Sequence, residues 1–175
     1  IWFPTGGGKT EAYLGVSAFV IFMTRLMNPG RDGCLVLMSY TLRLLTSQQF
    51  QRAASLICAC ERERRKNPRE LGESPITIGL WVGMSLTPNN EKDALSKLSK
   101  LSDKNKPGKN PFQLLSCPWC GTELDNKEKL GYSERNGRMI FVCPATACPF
   151  SQSGSHLPVG VVDQTIYDSP PTLII

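Results

Sequence analysis

Histidine is almost missing from this chain: only His156 occurs, eight residues past Cys148 in a linker-like stretch. That place reads as a lone surface histidine rather than a metal ligand. No Asp-Glu dipeptide occurs anywhere. The opening helix-like region is uncharged only from Ala12 to Thr24, thirteen residues. Crossing a bilayer takes roughly 20, and a loop rather than a basic start precedes the stretch. Neither a membrane span nor a signal peptide is expected, and no internal repeat is visible. An initiator Met is also lacking: the sequence starts at Ile1, as a piece of a longer protein would.

The chain has 175 residues, 41% hydrophobic and 20% charged, enough for one domain carrying an insertion. Its net charge of +5 is compatible with a polyanionic partner without requiring one. Seven cysteines are an odd count, and four of them cluster late: Cys117, Cys120, Cys143 and Cys148. A disulfide scaffold would be shorter, loop-rich and evenly paired. A reducing, cytoplasmic setting with one metal site fits better, and Cys34, Cys58 and Cys60 read as core residues.

Along the chain, Glu11 to Met27 carries Leu14, Ala18, Ile21 and Phe22 at helical spacing, closed by Asn28-Pro29-Gly30. Cys34 to Tyr40 reads as a buried strand of a parallel sheet. Leu42 to Lys66 reads as a helix with Leu45, Gln49, Ala53, Leu56 and Cys60 on one face. Its basic end (Arg62, Arg64, Arg65, Lys66, then Arg69) is diluted by Glu61, Glu63 and Glu70, so it reads as solvated. Ile76 to Val82 is a second strand. Glu91 to Lys109 holds six lysines and reads as a short exposed helix running into a linker. Strand character resumes at Val159 to Asp163 and again at Thr172 to Ile175. This alternation predicts an α/β fold.

The most informative segment is Thr5-Gly6-Gly7-Gly8-Lys9-Thr10, which opens the first helix. Three glycines let the backbone curl with its N–H groups inward around a phosphate. Lys9 would reach the β- and γ-phosphates of ATP, and Thr10 would ligate Mg²⁺. The strict phosphate-loop pattern has Gly where this chain has Phe3. A turn with an exposed Lys9 is the plainer alternative.

In the late cysteine cluster, Cys117-Pro-Trp-Cys120-Gly has the form of a zinc knuckle, and Cys143 and Cys148 supply a second pair. Four thiolates suit a closed, tetrahedral, structural Zn²⁺ site at about 2.3 Å per bond. Between the pairs, Tyr132 and Arg138 to Val142 would form a zinc-ribbon hairpin about Asn136-Gly137. A disulfide pairing is the alternative.

Pro4 to Thr10 resembles motif I of superfamily 2 helicases, and Thr41 to Gln49 resembles their motif Ia. More narrowly, four segments resemble the large helicase subunit family of the bacterial phage-defence system called DISARM. They are Trp2 to Gly15, Tyr40 to Thr46, Trp81-Val82-Gly83 with Thr87-Pro88-Asn89, and Pro170 to Leu173. The resemblance implies a partial RecA-like P-loop NTPase sheet over 1–112 and 156–175, with a Cys₄ zinc-ribbon module inserted at 113–155. It implies ATP and Mg²⁺ as cofactors, beside the Zn²⁺ that the cysteine spacing suggests. It also implies a DNA or RNA backbone contacted by Thr41, Arg43, Thr46 and Gly83, and other defence-complex subunits as partners. Such a motor also needs an Asp-Glu motif and a second RecA-like domain, neither present in these residues. Asp163 reads as a capping or turn residue. A non-catalytic zinc-ribbon module that binds nucleic acid or protein is the competing reading.

Overall fold

The structure, a computed structural model, describes residues 8–39, 43–83, 86–103, 110–126, 128–151 and 155–175; for 43–46 it describes the backbone only. Within them lie α1 (Lys9–Met27), β1 (Val36–Leu37), α2 (Arg43–Lys66), α3 (Pro68–Leu71), β2 (Ile78–Gly79) and α4 (Glu91–Ser102). Then follow β3 (Tyr132–Arg135), β4 (Arg138–Phe141), β5 (Val159–Gly160), α5 (Asp163–Asp168) and β6 (Leu173–Ile174).

The principal sheet has four parallel strands in the order β1-β6-β2-β5. The last strand in the sequence therefore lies between the first two. β6 pairs Leu173 with Val36 on one side and with Ile78 on the other. Its composition explains the position: Leu173, Ile174 and Ile175 are apolar or β-branched and buried, as a strand covered on both faces requires. Pro170-Pro171 precede it, where missing N–H groups do not interrupt the ladder. The expected α/β class is thus met by a parallel sheet with helices between strands.

β1 departs from expectation. It is an edge strand, Leu37 is 72% exposed, and Cys34 is exposed too. The apolar run of Cys34 to Tyr40 gave no sign of its missing neighbour, because strand order depends on contacts distant in sequence. Cys58 and Cys60 are core thiols as expected, and burial pushes the Cys58 thiol up to about 12.

α1 and α2 run side by side in the same direction. Glu11 in the first turn of α1 pairs with Arg52, and the last turns meet α3, with Gly72 against Pro29. The buried face of α2 is wider than the single stripe expected. Phe50, Ala53, Ala54, Ile57, Cys58 and Cys60 are all buried. The helix touches the sheet on one side and the cysteine module on another. Its basic end is not simply solvated either, since Glu61 is 1% and Arg64 7% exposed.

α4 is likewise not an exposed helix. The Asn90 side chain caps it at the Asp93 amide, Ala94 and Leu101 are buried, and Leu95 and Leu98 pack on the core. Residues 104–109, the rest of the expected linker, lie outside the described residues.

The cysteine module carries the antiparallel hairpin β3–β4, with Asn136 at φ 53° and Gly137 at φ 76° as its turn. Positive φ at both central residues is the type I′ geometry that Asn-Gly favours. Phe112, Tyr132 and Phe141 form an aromatic cluster beneath it, and the Tyr132 hydroxyl donates to the Leu114 carbonyl at 2.8 Å. This cluster is continuous with the core around the sheet.

Candidate functional site

The sulfurs of Cys117, Cys120, Cys143 and Cys148 all lie within 4.8 Å of one another. Cys117 and Cys148 are 4.0 Å apart, and Cys120 and Cys143 3.4 Å. A tetrahedron with bonds of about 2.3 Å has edges of about 3.8 Å, so these four atoms fit around one ion such as zinc. None of the seven cysteines forms a disulfide.

The chain builds each half locally. Cys117 and Cys120 sit on a tight turn closed by Gly121 N–H to the Cys117 carbonyl at 2.8 Å. Backbone amides of Cys120 and Trp119 donate to the Cys117 sulfur, that of Thr122 to Cys120, and that of Phe150 to Cys148. Such donors stabilise thiolates. Burial pushes the Cys117 and Cys148 thiols up, Cys148 to about 11. At exposed Cys120, burial acts the same way, but hydrogen bonds from Thr122 and the neighbouring cysteines hold it down at about 7. The wide gap in the second pair is accommodated by a turn in which Cys148 N–H bonds the Ala145 carbonyl. His156 is not in the cluster. Four thiolates leave a bound ion no open position, which makes the site a structural one.

A second set of candidates lies along the carboxyl edge of the parallel sheet. α2 follows β1 and α5 follows β5, so their N-termini face that edge. α1, which Lys9 and Thr10 open, runs in the same direction as α2, with Glu11 of its first turn beside Arg52. Gly8 precedes α1 at φ 72°, a left-handed conformation that glycine adopts readily, and a helix start of this kind suits an anion. Arg43 opens α2, and Gly83 (φ 82°) follows β2. The Gly83 carbonyl accepts from Leu86 N–H at 3.1 Å. Thr5, Gly6, Gly7 and Thr41 lie outside the described residues, as do the side chains of Arg43 and Thr46.

Asp163 begins α5. Its carboxylate accepts the Thr87 hydroxyl at 3.3 Å, and its amide donates to the Pro88 carbonyl. Burial raises its carboxyl above the ordinary value. Thr87-Pro88-Asn89 therefore docks the start of α5, the turn role expected of Asp163.

Three features escaped the sequence reading. Glu61 is the buried hub for Arg64, Arg65 and the Ile76 amide, all at 2.7–2.8 Å. The periodicity held the signal, because Glu61 and Arg64 continue the face of Ile57 and Cys58. Arg62 sits over the Trp119 ring at 4.5 Å, which no local pattern announces. Gln113, at φ 59°, donates to the Leu86 carbonyl at 3.1 Å and meets the Ser47 hydroxyl at 3.4 Å. It thereby links the cysteine module to α2 and to the loop after β2.

No protein-family model matches the chain. It is 40% identical over 189 aligned residues to DISARM protein DrmA of Bacillus paralicheniformis (strain ATCC 9945a / NCIMB 11709 / CD-2). That alignment covers 100% of this chain and 16% of that protein. The chain is thus related in sequence to a DISARM protein, of which it spans about one sixth.

Proposed function

We propose that this chain is part of a superfamily 2 helicase-like motor that couples ATP hydrolysis to movement on nucleic acid in phage defence, with other defence subunits as partners. What supports the reading is Gly8-Lys9-Thr10 opening α1 in a chain whose sheet is parallel, the class of open α/β fold that binds ligands beyond its carboxyl strand ends. The relation to a DISARM protein supports the setting.

In this reading the sheet is the first part of a RecA-like domain. Backbone amides of Thr5, Gly6, Gly7 and Gly8 cradle the phosphates of ATP, Lys9 reaches the terminal ones, and Thr10 holds Mg²⁺. Thr41, Arg43 and Thr46 at the start of α2, with Gly83, contact the sugar-phosphate backbone of DNA or RNA. Cys117, Cys120, Cys143 and Cys148 hold Zn²⁺ in a module spanning 113–155, and reduced thiols suit the cytoplasm. The metal supplies folding energy to a segment too small for an adequate core of its own.

Equilibrium binding of a fluorescent ATP analogue with Mg²⁺ to the full-length protein tests the reading. Lys9→Ala weakens binding at least about tenfold, the loss of one charge-assisted phosphate contact. Equal affinity in the variant favours the non-catalytic zinc module instead.

A further inference from the structure

A basic and aromatic face crosses the seam between α2 and the cysteine module. Arg62 covers the Trp119 ring at 4.5 Å, Arg65 lies 5.4 Å from the Phe150 ring, and Trp119 meets Phe150 edge-on at 6.1 Å. Arg65 also bonds the Ser155 hydroxyl. Burial lowers the His156 pKa first, and the positive charges of Arg135 and Arg65 lower it further. His156, next to the Ser155 that Arg65 bonds, lines one cavity with Arg138, so α2, the hairpin and the segment returning to the sheet bring these basic groups to one face.

The hairpin adds an unbalanced feature. Arg135 and Arg138 are directly opposed in register beside the turn, and both are exposed. Like charges so placed repel, and among the described residues neither forms an ion pair. Nearby carboxylates are engaged elsewhere: Glu61 by Arg64 and Arg65, Glu63 by Lys66, Glu134 by the Gly137 amide, and Glu91, which shares a cavity with Arg138, by the Met139 amide and the Thr165 hydroxyl. Docking the module on α2 accounts for Arg62 and Arg65 but not for Arg135 and Arg138.

We propose that this face is a second contact for a nucleic-acid strand, with phosphates on Arg135 and Arg138 and a base against the exposed part of Trp119. Planar guanidinium groups suit phosphate, and an aromatic ring among them suits an unpaired base. Trp119 is 38% exposed, with Arg62 over its ring and Phe150 edge-on to it, so the open part of the indole lies beside a cation. The contact rests on the nucleic-acid reading above and adds a site remote from the start of α2.

The test measures binding of a labelled single-stranded oligonucleotide to the zinc-loaded full-length protein across a salt series. The double variant Arg135→Gln/Arg138→Gln changes only exposed hairpin side chains, and zinc content reports that the module stays folded. Expected are a loss of affinity of about tenfold and a salt slope shallower by about 1.4, two phosphate contacts at roughly 0.7 each. Trp119→Phe keeps most of the affinity and Trp119→Ser loses several-fold, as stacking predicts. A wild type that binds, with an indistinguishable double variant, overturns this contact alone. Unchanged oligonucleotide binding with loss of a co-purifying subunit overturns it in favour of protein docking. A wild type with no nucleic-acid binding overturns the motor reading as well.

Discussion

Glu61 shows how much one side chain organises. It is 1% exposed, takes a forked pair of bonds from Arg64, a third from Arg65 and a fourth from the Ile76 amide at the approach to β2. Replacing it with Ala leaves Arg64 buried without its partner, and the expected loss is about 3 to 5 kcal/mol in chemical denaturation. Burial alone would raise the Glu61 carboxyl, but the bonds from Arg64, Ile76 and Arg65 outweigh it and hold the carboxyl below its ordinary value. The stability it contributes is therefore present above that ordinary value and is lost as pH falls through the folded one. An acid titration of the Glu61→Gln variant should lack that component, and identical acid profiles would contradict it. Arg25 is the opposite case. It is fully buried, among the described residues its guanidinium nitrogens have no hydrogen-bond partner, and the carboxylate paired with it, Asp32, is 3.8 Å away and exposed. Desolvation outweighs that long ion pair and lowers the Arg25 pKa, so Arg25→Met should hold or raise the denaturation midpoint. A marked fall would show that the charge is needed.

Among the elements, the hairpin and the metal cluster were the most legible in the sequence. Asn136-Gly137 specifies a two-residue turn by backbone chemistry alone, and the cysteine pairs carry their geometry in their spacing. Gly137→Val forces a β-branched residue to φ 76°, at a cost of about 1 to 3 kcal/mol to the module. The α1 and α2 segments were readable from apolar spacing and breakers. α4 was misread because its lysines drew attention from Ala94, Leu95, Leu98 and Leu101, which share one helical face. The position of β6 and the docking of the module on α2 were not readable at all, since both are set by partners distant in sequence. The cluster makes its own prediction. Elemental analysis of protein purified without chelator should find about one zinc per chain, and Cys117→Ser/Cys143→Ser should abolish it. Protein without zinc, or one holding a disulfide within the cluster under reducing conditions, would refute the metal site.

Across the whole molecule, the apolar surface is unevenly covered. Tyr13, Val16, Phe19, Met23, Leu26 and Met27 form an exposed stripe along α1. Among the described residues α1 is the one helix long and apolar enough to cross a membrane, and 17% of that window is buried. The helix nevertheless packs against α2 and α3 through Ser17, Ile21 and Arg25, as a helix with one face in a protein core does. A stripe of that kind makes the 175-residue chain self-associate when prepared alone. Sedimentation should show concentration-dependent association that Val16→Lys/Phe19→Glu reduces. A concentration-independent monomer would mean the stripe is covered in solution.

In the proposed nucleic-acid motor, α1 opens a working phosphate site. Steady-state ATP hydrolysis by the zinc-loaded full-length protein, with and without single-stranded nucleic acid, measures it directly. Stimulation by nucleic acid is expected, with Lys9→Ala slowing turnover on the order of a hundredfold or more while zinc content stays constant. A turnover rate indifferent to both nucleic acid and Lys9 would contradict the account.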